Sequence, residues 1–194
     1  MDKGEKLALF LGMLSGDGCL SKGHNGDGYR TYPIQFCNTK KELVLLFNRL
    51  FYDIFEIEGH ISSRNRYNRQ EIWHFVKISR KIFEEIRGLG FPEGVKRDVL
   101  RVLHLIKNGT DKEKLLFIQG MLITDGYTTD KSIRFHLGSK LFLEDLSELI
   151  AEFIGKKKAV REYTQRQIYK SYQLSLNKVE KNLLLSRCGT MVLQ

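Results

Sequence analysis

Histidine and cysteine are scarce in this chain, with five and three residues in 194, and neither is placed for metal binding. His24, His60, His74, His104 and His136 show no ligand spacing, which argues against a structural zinc site. Cys19, Cys37 and Cys188 form an odd, scattered set with no C-x-x-C pair. That pattern predicts free thiols in a reducing, intracellular compartment: cytoplasm, nucleoid or organelle matrix. No run of 18 uncharged apolar residues occurs, and the first residues, MDKGEKLALF, lack a signal peptide's cleavage pattern. No glycine-rich stretch is followed by G-K-[ST], which excludes a phosphate-binding loop of that type. His24-Asn25 has no second histidine at a suitable spacing, so an H-N-H nuclease is not supported. Low-complexity linkers are absent as well.

What the chain does have is positive charge and a repeat. Thirty-two Lys and Arg against 23 Asp and Glu give +9, which points to a polyanionic partner. A hydrophobic content of 42% is enough for a packed core. FLGMLSGDG at 10–18 and IQGMLITDG at 118–126 align without a gap, at an offset of 108. Both set glycine inside an apolar helical run, where it costs about 1 kcal/mol against alanine, and both end on Asp-Gly.

The flanking segments repeat in the same order. TYPIQFCNT and KSIRFHLGS alternate with period two, as strands with one buried and one wet face do. Helices follow, with a Thr39/Glu42 capping box expected in the first half and a start near Ser139 in the second. ISSRNRYNRQEIWHFVKIS and VREYTQRQIYKSYQLSLN then read as strand pairs, and Ser79 and Asn177 as N-caps of closing helices. Each half is therefore predicted as αββαββα, an α+β fold with two repeats about a pseudo-two-fold axis. The expected division is 1–92 for the first repeat, 93–110 for a connecting helix or linker, and 111–194 for the second. Thr110 and Glu113 form a capping box opening the second motif helix.

Residues four apart share a helix face, so Ala8, Gly12 and Gly16 form one stripe of small side chains, with Gly120 and Thr124 in the second half. Such stripes let two helix backbones approach closely. If the two motif helices pack side by side in parallel, Asp17 and Asp125 meet at their ends. A helix C-terminus carries about −0.5 charge, so two carboxylates there need a cation. Carboxylate, carbonyl and water oxygens suit Mg²⁺ bridging to a phosphate.

These residues resemble the LAGLIDADG motif of homing endonucleases, in the single-chain, two-motif branch. The resemblance spans nearly the whole chain. It implies a saddle-shaped molecule whose antiparallel sheets lie in the DNA major groove, with the motif helices at the repeat interface. It further implies metal-dependent phosphodiester hydrolysis giving short 3′ overhangs at a long target, as in intron homing. Asp17 and Asp125 become the catalytic, metal-binding acids, with the Gly16 and Thr124 carbonyls as added ligands. Mg²⁺ is the expected cofactor, and Mn²⁺ or Ca²⁺ can occupy the same sites. Asn38 takes the place of a polar residue that holds the water network, where half two has Leu137 or Gly138. Lys96 is the candidate basic residue, with Lys40 and Lys140 as further candidates. Ser15 and Ile123 stand where the motif often has an acid.

Residues 59–79 carry +3 and residues 156–176 carry +5, so most of the excess charge falls on the second strand pairs. Lys156–Lys158 fit a solvated face as well as a DNA contact. Alternation turns Arg64, Arg66, Arg161, Tyr163 and Gln165 outward, joined by Gln35, Arg134 and His136. Arg69, Lys77, Arg166 and Lys170 complete the expected DNA-binding set, by base edges or phosphates. Trp73 and Phe75 fit either face. The partner expected is double-stranded DNA, bound by a monomer with no membrane and no obligate protein partner. The alternatives are an RNA maturase or a non-cleaving DNA-binding regulator on the same fold. A purely structural reading leaves the paired aspartates unexplained.

Overall fold

The computed structural model describes residues 1–24, 26–65, 70–165 and 169–188. The first half runs α1 (Lys3–Asp17), β1 (Gly18–Leu20), β2 (Gly23–His24), β3 (Arg30–Thr31), β4 (Pro33–Asn38), α2 (Lys41–Phe55), β5 (His60–Arg64), β6 (Ile72–Ile78) and α3 (Arg80–Gly88). After a connector containing α4 (His104–Lys107) come α5 (Asp111–Thr124), β7 (Gly126–Thr128), β8 (Ile133–Leu137), α6 (Lys140–Ile154), β9 (Arg161–Gln165), β10 (Tyr169–Leu176) and α7 (Lys178–Cys188). Apart from the β2–β3 hairpin, the two halves share the αββαββα order. Each half forms a four-stranded antiparallel sheet, β1-β4-β6-β5 and β7-β8-β10-β9. No described helix is long and apolar enough to cross a membrane.

One face of each sheet is covered. Phe36 of β4 stacks on Phe47 of α2 at 4.3 Å between ring centres, and Phe75 of β6 meets the same ring edge-on at 5.0 Å. In the second half Phe135 and Leu174 are buried alongside Phe142, Leu146 and Ile150 of α6. Between the sheets lie α1 and α5, which have no wet face over most of their length: Leu9–Leu14 and Leu116–Leu122 are buried throughout. A helix apolar on all sides is a central one.

Two local expectations fail. The cap of α2 is Lys40, with no side-chain cap bond, and Thr39 takes no part. Asn38 Oδ1 accepts the Lys40 amide instead, at 2.7 Å. The connector is also mostly irregular, with only the four-residue α4 as helix. Its shape comes from contacts rather than helical bonding. Leu100, Val102, Leu103 and Ile106 are buried in the common core.

Asp145 of α6, 3% exposed, accepts two hydrogen bonds from Arg101 at 2.6 and 2.7 Å. It also accepts the Val102 amide at 3.1 Å and pairs with Lys107 at 2.7 Å. Burial opposes the charge, but the Arg101 and Lys107 bonds outweigh it and hold the carboxyl below the ordinary carboxylate range. Arg101 and Lys107 keep access to water, so Asp145→Ala, which removes their shared carboxylate and leaves the Val102 amide unpaired, is expected to lower unfolding stability by about 1–3 kcal/mol in urea titrations. Because the folded pKa is depressed, the same contribution is present above the unfolded value of about 4 and is lost as pH falls through the folded one.

Candidate active site at the paired helix ends

Both motif helices begin with a reciprocal cap. In α1 the Asp2 carboxylate accepts the Glu5 amide at 2.9 Å, and Glu5 accepts the Asp2 amide at 3.2 Å. In α5 Thr110 and Glu113 exchange the same bonds at 3.3 and 2.7 Å. From these matching starts the helices run in parallel and in contact. A Cβ on Gly4 would lie beside Glu113, one on Gly12 would lie 2.3 Å from the Phe117 carbonyl oxygen, and one on Gly16 would meet Thr124 and Asp125. In return, a Cβ on Gly120 would lie 2.5 Å from the Leu9 carbonyl oxygen. Only glycine permits this approach. Ala8, on the same stripe, is buried, and the Thr124 hydroxyl turns back onto the Gly120 carbonyl at 2.9 Å.

The helices therefore end together. A Cβ on Gly16 would sit 3.2 Å from Asp125 Oδ2, which places the second acid against the last turn of the first helix. Burial raises the Asp125 pKa, the Asp17 charge adds to that, and together they push it up to about 6. Burial raises Asp17 too, opposed by a hydrogen bond from Asn38 Nδ2 to Asp17 Oδ2 at 2.6 Å.

Lys96 of the connector enters from one side. Its Nζ donates to the carbonyls of Gly16, Ser15 and Leu14 at 2.7, 2.9 and 3.3 Å. It thus caps the end of α1 and takes up the Gly16 oxygen expected to face a metal. Burial lowers the Lys96 pKa, while Asp125 and Asp17 raise it. Lys140 lies apart, 3.7 Å from Glu144. Among the described residues no group of three or more His, Cys, Asp or Glu could hold a metal.

The second half departs from the first at the strand end. Where Asn38 serves Asp17, half two has Leu137 and Gly138. A Cβ on Gly138 would lie 2.6 Å from Arg97 Cγ, and the Arg97 guanidinium donates to the Lys170 carbonyl. Arg97, from the connector, packs against this strand end. Charge counting missed it, although Gly138 at that position was a signal of something packed close. A pocket of about 350 Å³ opens here, lined by Ser15, Gly16, Lys96, Arg97, Leu137 and Gly138. The buried Ser15 hydroxyl, without a hydrogen-bond partner among the described residues, lies against it.

Strand register settles the sheet faces. Gln35 lies beside Cys19 and Val76, Arg64 beside Ile72, Arg134 beside Tyr127 and Ser175, and His136 and Arg161 both beside Gln173. All lie on the faces not covered by helices. Tyr163 shares that face, its ring 6.1 Å from His136. Cys37 and His74 meet there at 3.0 Å, and Cys19 donates to Gln35 at 3.3 Å. Lys77 and Lys170 are corrections. Lys77 pairs with Ile34 on the covered side and donates to the Glu58 carbonyl at 3.0 Å. Lys170 shares the parity of Tyr172 and Leu174 and bonds Glu162 at 3.0 Å. Phe75 is core, and Trp73 lies under the Lys41 ammonium at 4.4 Å, so neither aromatic is on the open face. Arg66, Arg69 and Arg166 lie outside the described residues, and of Gln165 only the strand position is described.

The family model of the LAGLIDADG-like domain matches twice, over residues 4–88 and 112–189. The chain belongs to the LAGLIDADG family. Both matches contain one of the motif helices, so the paired ends are the ends of two LAGLIDADG motifs. Among solved structures, the homing endonuclease I-DmoI in complex with DNA and Mn is 17% identical, with TM-score 0.71 over 98% of this chain and 100% of that one. I-DmoI with DNA and Ca is 18% identical, with TM-score 0.67 over 90% and 84%. Full-length DUF199/WhiA from Thermatoga maritima is 10% identical, with TM-score 0.60 over 97% and 56%. These likenesses establish a shared LAGLIDADG fold. No curated protein matches the chain in sequence.

Proposed function

We propose that the protein is a site-specific endonuclease of double-stranded DNA that requires a divalent cation, Mg²⁺ first among them. Each half cuts one strand of a long target, leaving short 3′ overhangs, and intron homing supplies the target as the rejoined intron flanks. One observation carries the reading: two largely buried carboxylates from matching helix ends lie together, both raised in pKa by burial and Asp125 further by the charge of Asp17. Their oxygens fit a hard divalent cation. Asp17 and Asp125 would hold it, with the Gly16 and Thr124 carbonyls. When bound, such a cation polarises a phosphodiester and lowers the pKa of an attached water.

The chain's own groups do the rest. Asn38 fixes the Asp17 carboxylate in one orientation. Lys96 sets a positive charge against the carbonyl end of α1, where helix and acids would otherwise repel a phosphate. On the open faces, Arg134 and Gln35 offer the donor patterns that read guanine and adenine edges, and His136 and Tyr163 add contact area. I-DmoI, of the same fold, was solved with DNA and Ca or Mn, which supports both the partner and the metal class.

A second reading, a non-cleaving regulator or an RNA maturase, is favoured by Lys96, whose ammonium already occupies the Gly16 oxygen. Incubation with a plasmid library of candidate sites, with Mg²⁺ and with excess chelator, separates the two. Metal-dependent linear product, abolished in Asp17→Asn, is expected. Tight duplex binding with no cut strand in Mg²⁺ or Mn²⁺ would leave the binder.

A further inference from the structure

The two halves differ in charge at one place where their backbones are built alike. Both α2 and α6 end in a left-handed residue, Glu56 (φ 58°) and Gly155 (φ 71°), whose amides close on Tyr52 and Ala151 at 2.7 and 2.8 Å. The chain then crosses to the outer strand, held by the same helix position in both halves. Asn48 Oδ1 accepts the Gly59 amide at 3.0 Å. The buried Ser147 hydroxyl accepts the Lys158 amide at 2.8 Å and donates to the Lys158 carbonyl at 2.7 Å. These matched anchors make the crossings equivalent, residue for residue.

What they present is opposite. The first crossing reads Glu56-Ile57-Glu58-Gly59, with both acids exposed. The second reads Gly155-Lys156-Lys157-Lys158 and leads into Arg161. Lys157 and Lys158 are held by Glu148 and Glu180 at 2.5 and 2.7 Å. Lys156 and Arg161 make no ion pair within 4 Å among the described residues, and both are exposed. They line, with Gln173 and Ser175, a pocket of about 380 Å³ at the rim of the open sheet face. Gln173 is tied to Ser175 at 2.5 Å, so the pocket floor is polar and fixed.

We propose that this shoulder clamps backbone phosphates of the DNA duplex beyond the sheet on the second repeat's side. The acidic shoulder of the first repeat makes no such contact, so the footprint extends further over one half-site than the other. The inference rests on the DNA-binding reading above. A fixed loop with two uncommitted cations is preorganised for phosphate, and each phosphate neutralised releases counterions, lowering the slope of log K against log salt by about 0.9.

The test is the salt dependence of binding to a 40-base-pair duplex of arbitrary sequence, without divalent metal. In the double variant K156Q/R161Q the slope is expected to become shallower by about 1.8. E56Q/E58Q should not make it shallower, and E56K/E58K should steepen it by installing the missing clamp. An unchanged slope in K156Q/R161Q, with salt-dependent binding intact in the wild type, overturns the shoulder and leaves the DNA reading standing. Wild-type binding that is absent or indifferent to salt overturns both.

Discussion

Gly12→Ala and Gly120→Ala are each expected to destabilise the protein by about 3 kcal/mol, although alanine is the better helix former by about 1 kcal/mol. The added methyl would lie 2.3 Å from the Phe117 carbonyl oxygen in the first case and 2.5 Å from the Leu9 carbonyl oxygen in the second. Both are main-chain atoms that cannot swing aside. The helices must separate, and the apolar surface of two helices buried over most of their length loses its packing. Gly88, near the end of α3, is the control, because a Cβ there meets nothing within 4 Å. Gly88→Ala should be neutral or stabilising by up to about 1 kcal/mol. Urea titration of the three variants makes the comparison. Equal behaviour at Gly12 and Gly88 would mean the motif helices are not in backbone contact.

The second large effect has the opposite sign. Asp125→Asn should stabilise the metal-free protein by about 3 kcal/mol at pH 8 while abolishing metal-dependent cleavage. The Asp125 pKa rises from 3.8 to about 6, so the folded protein holds a proton that the unfolded chain has released. A tenfold change in proton affinity corresponds to about 1.36 kcal/mol. A raised acid stabilises the fold when protonated, so the wild type loses stability as pH climbs from about 4 to about 6 and levels off above. The variant lacks that decline. Thermal melts across the pH range read the difference directly, and Mg²⁺ should raise the wild-type melting temperature far more than the variant's. A variant less stable than wild type at pH 8 without metal would contradict a strained, cation-seeking pair.

Much of this was legible in the residues, for identifiable reasons. Glycine inside a buried helix is costly enough that a duplicated Gly…Asp-Gly pattern demands close approach of two backbones, and the approach is found. Period-two alternation placed Gln35, Arg134 and His136 on the open face because one buried phenylalanine fixes the parity of a whole strand. The same rule would have removed Lys77 and Lys170, which share parity with Phe75 and Leu174; counting charge per segment ignored it. Asp145 carried no signal in the sequence, because its partners Arg101 and Lys107 arrive from a connector whose path no periodicity encodes. Arg97 was hidden in the same way. The Thr39 cap failed because Asn38, one residue earlier, could reach both Asp17 and the Lys40 amide.

The charge asymmetry between the shoulders has a consequence for target recognition. On the proposed DNA-binding reading, base edges would be read by the sheet faces, while phosphate contacts would set register and orientation. A duplex anchored more firmly on the second repeat would tolerate changes in phosphate geometry better over the first half-site, where Cys19, Gln35, Cys37 and His74 present few fixed charges.

Anomalous diffraction from crystals grown in Mn²⁺ tests the central claim most directly. The account predicts a manganese peak bound by Asp17 and Asp125 together, at the joint end of α1 and α5, and lost in the Asp17→Asn, Asp125→Asn double variant. Manganese bound elsewhere, with the two carboxylates apart or bonded only to Lys96, would contradict it.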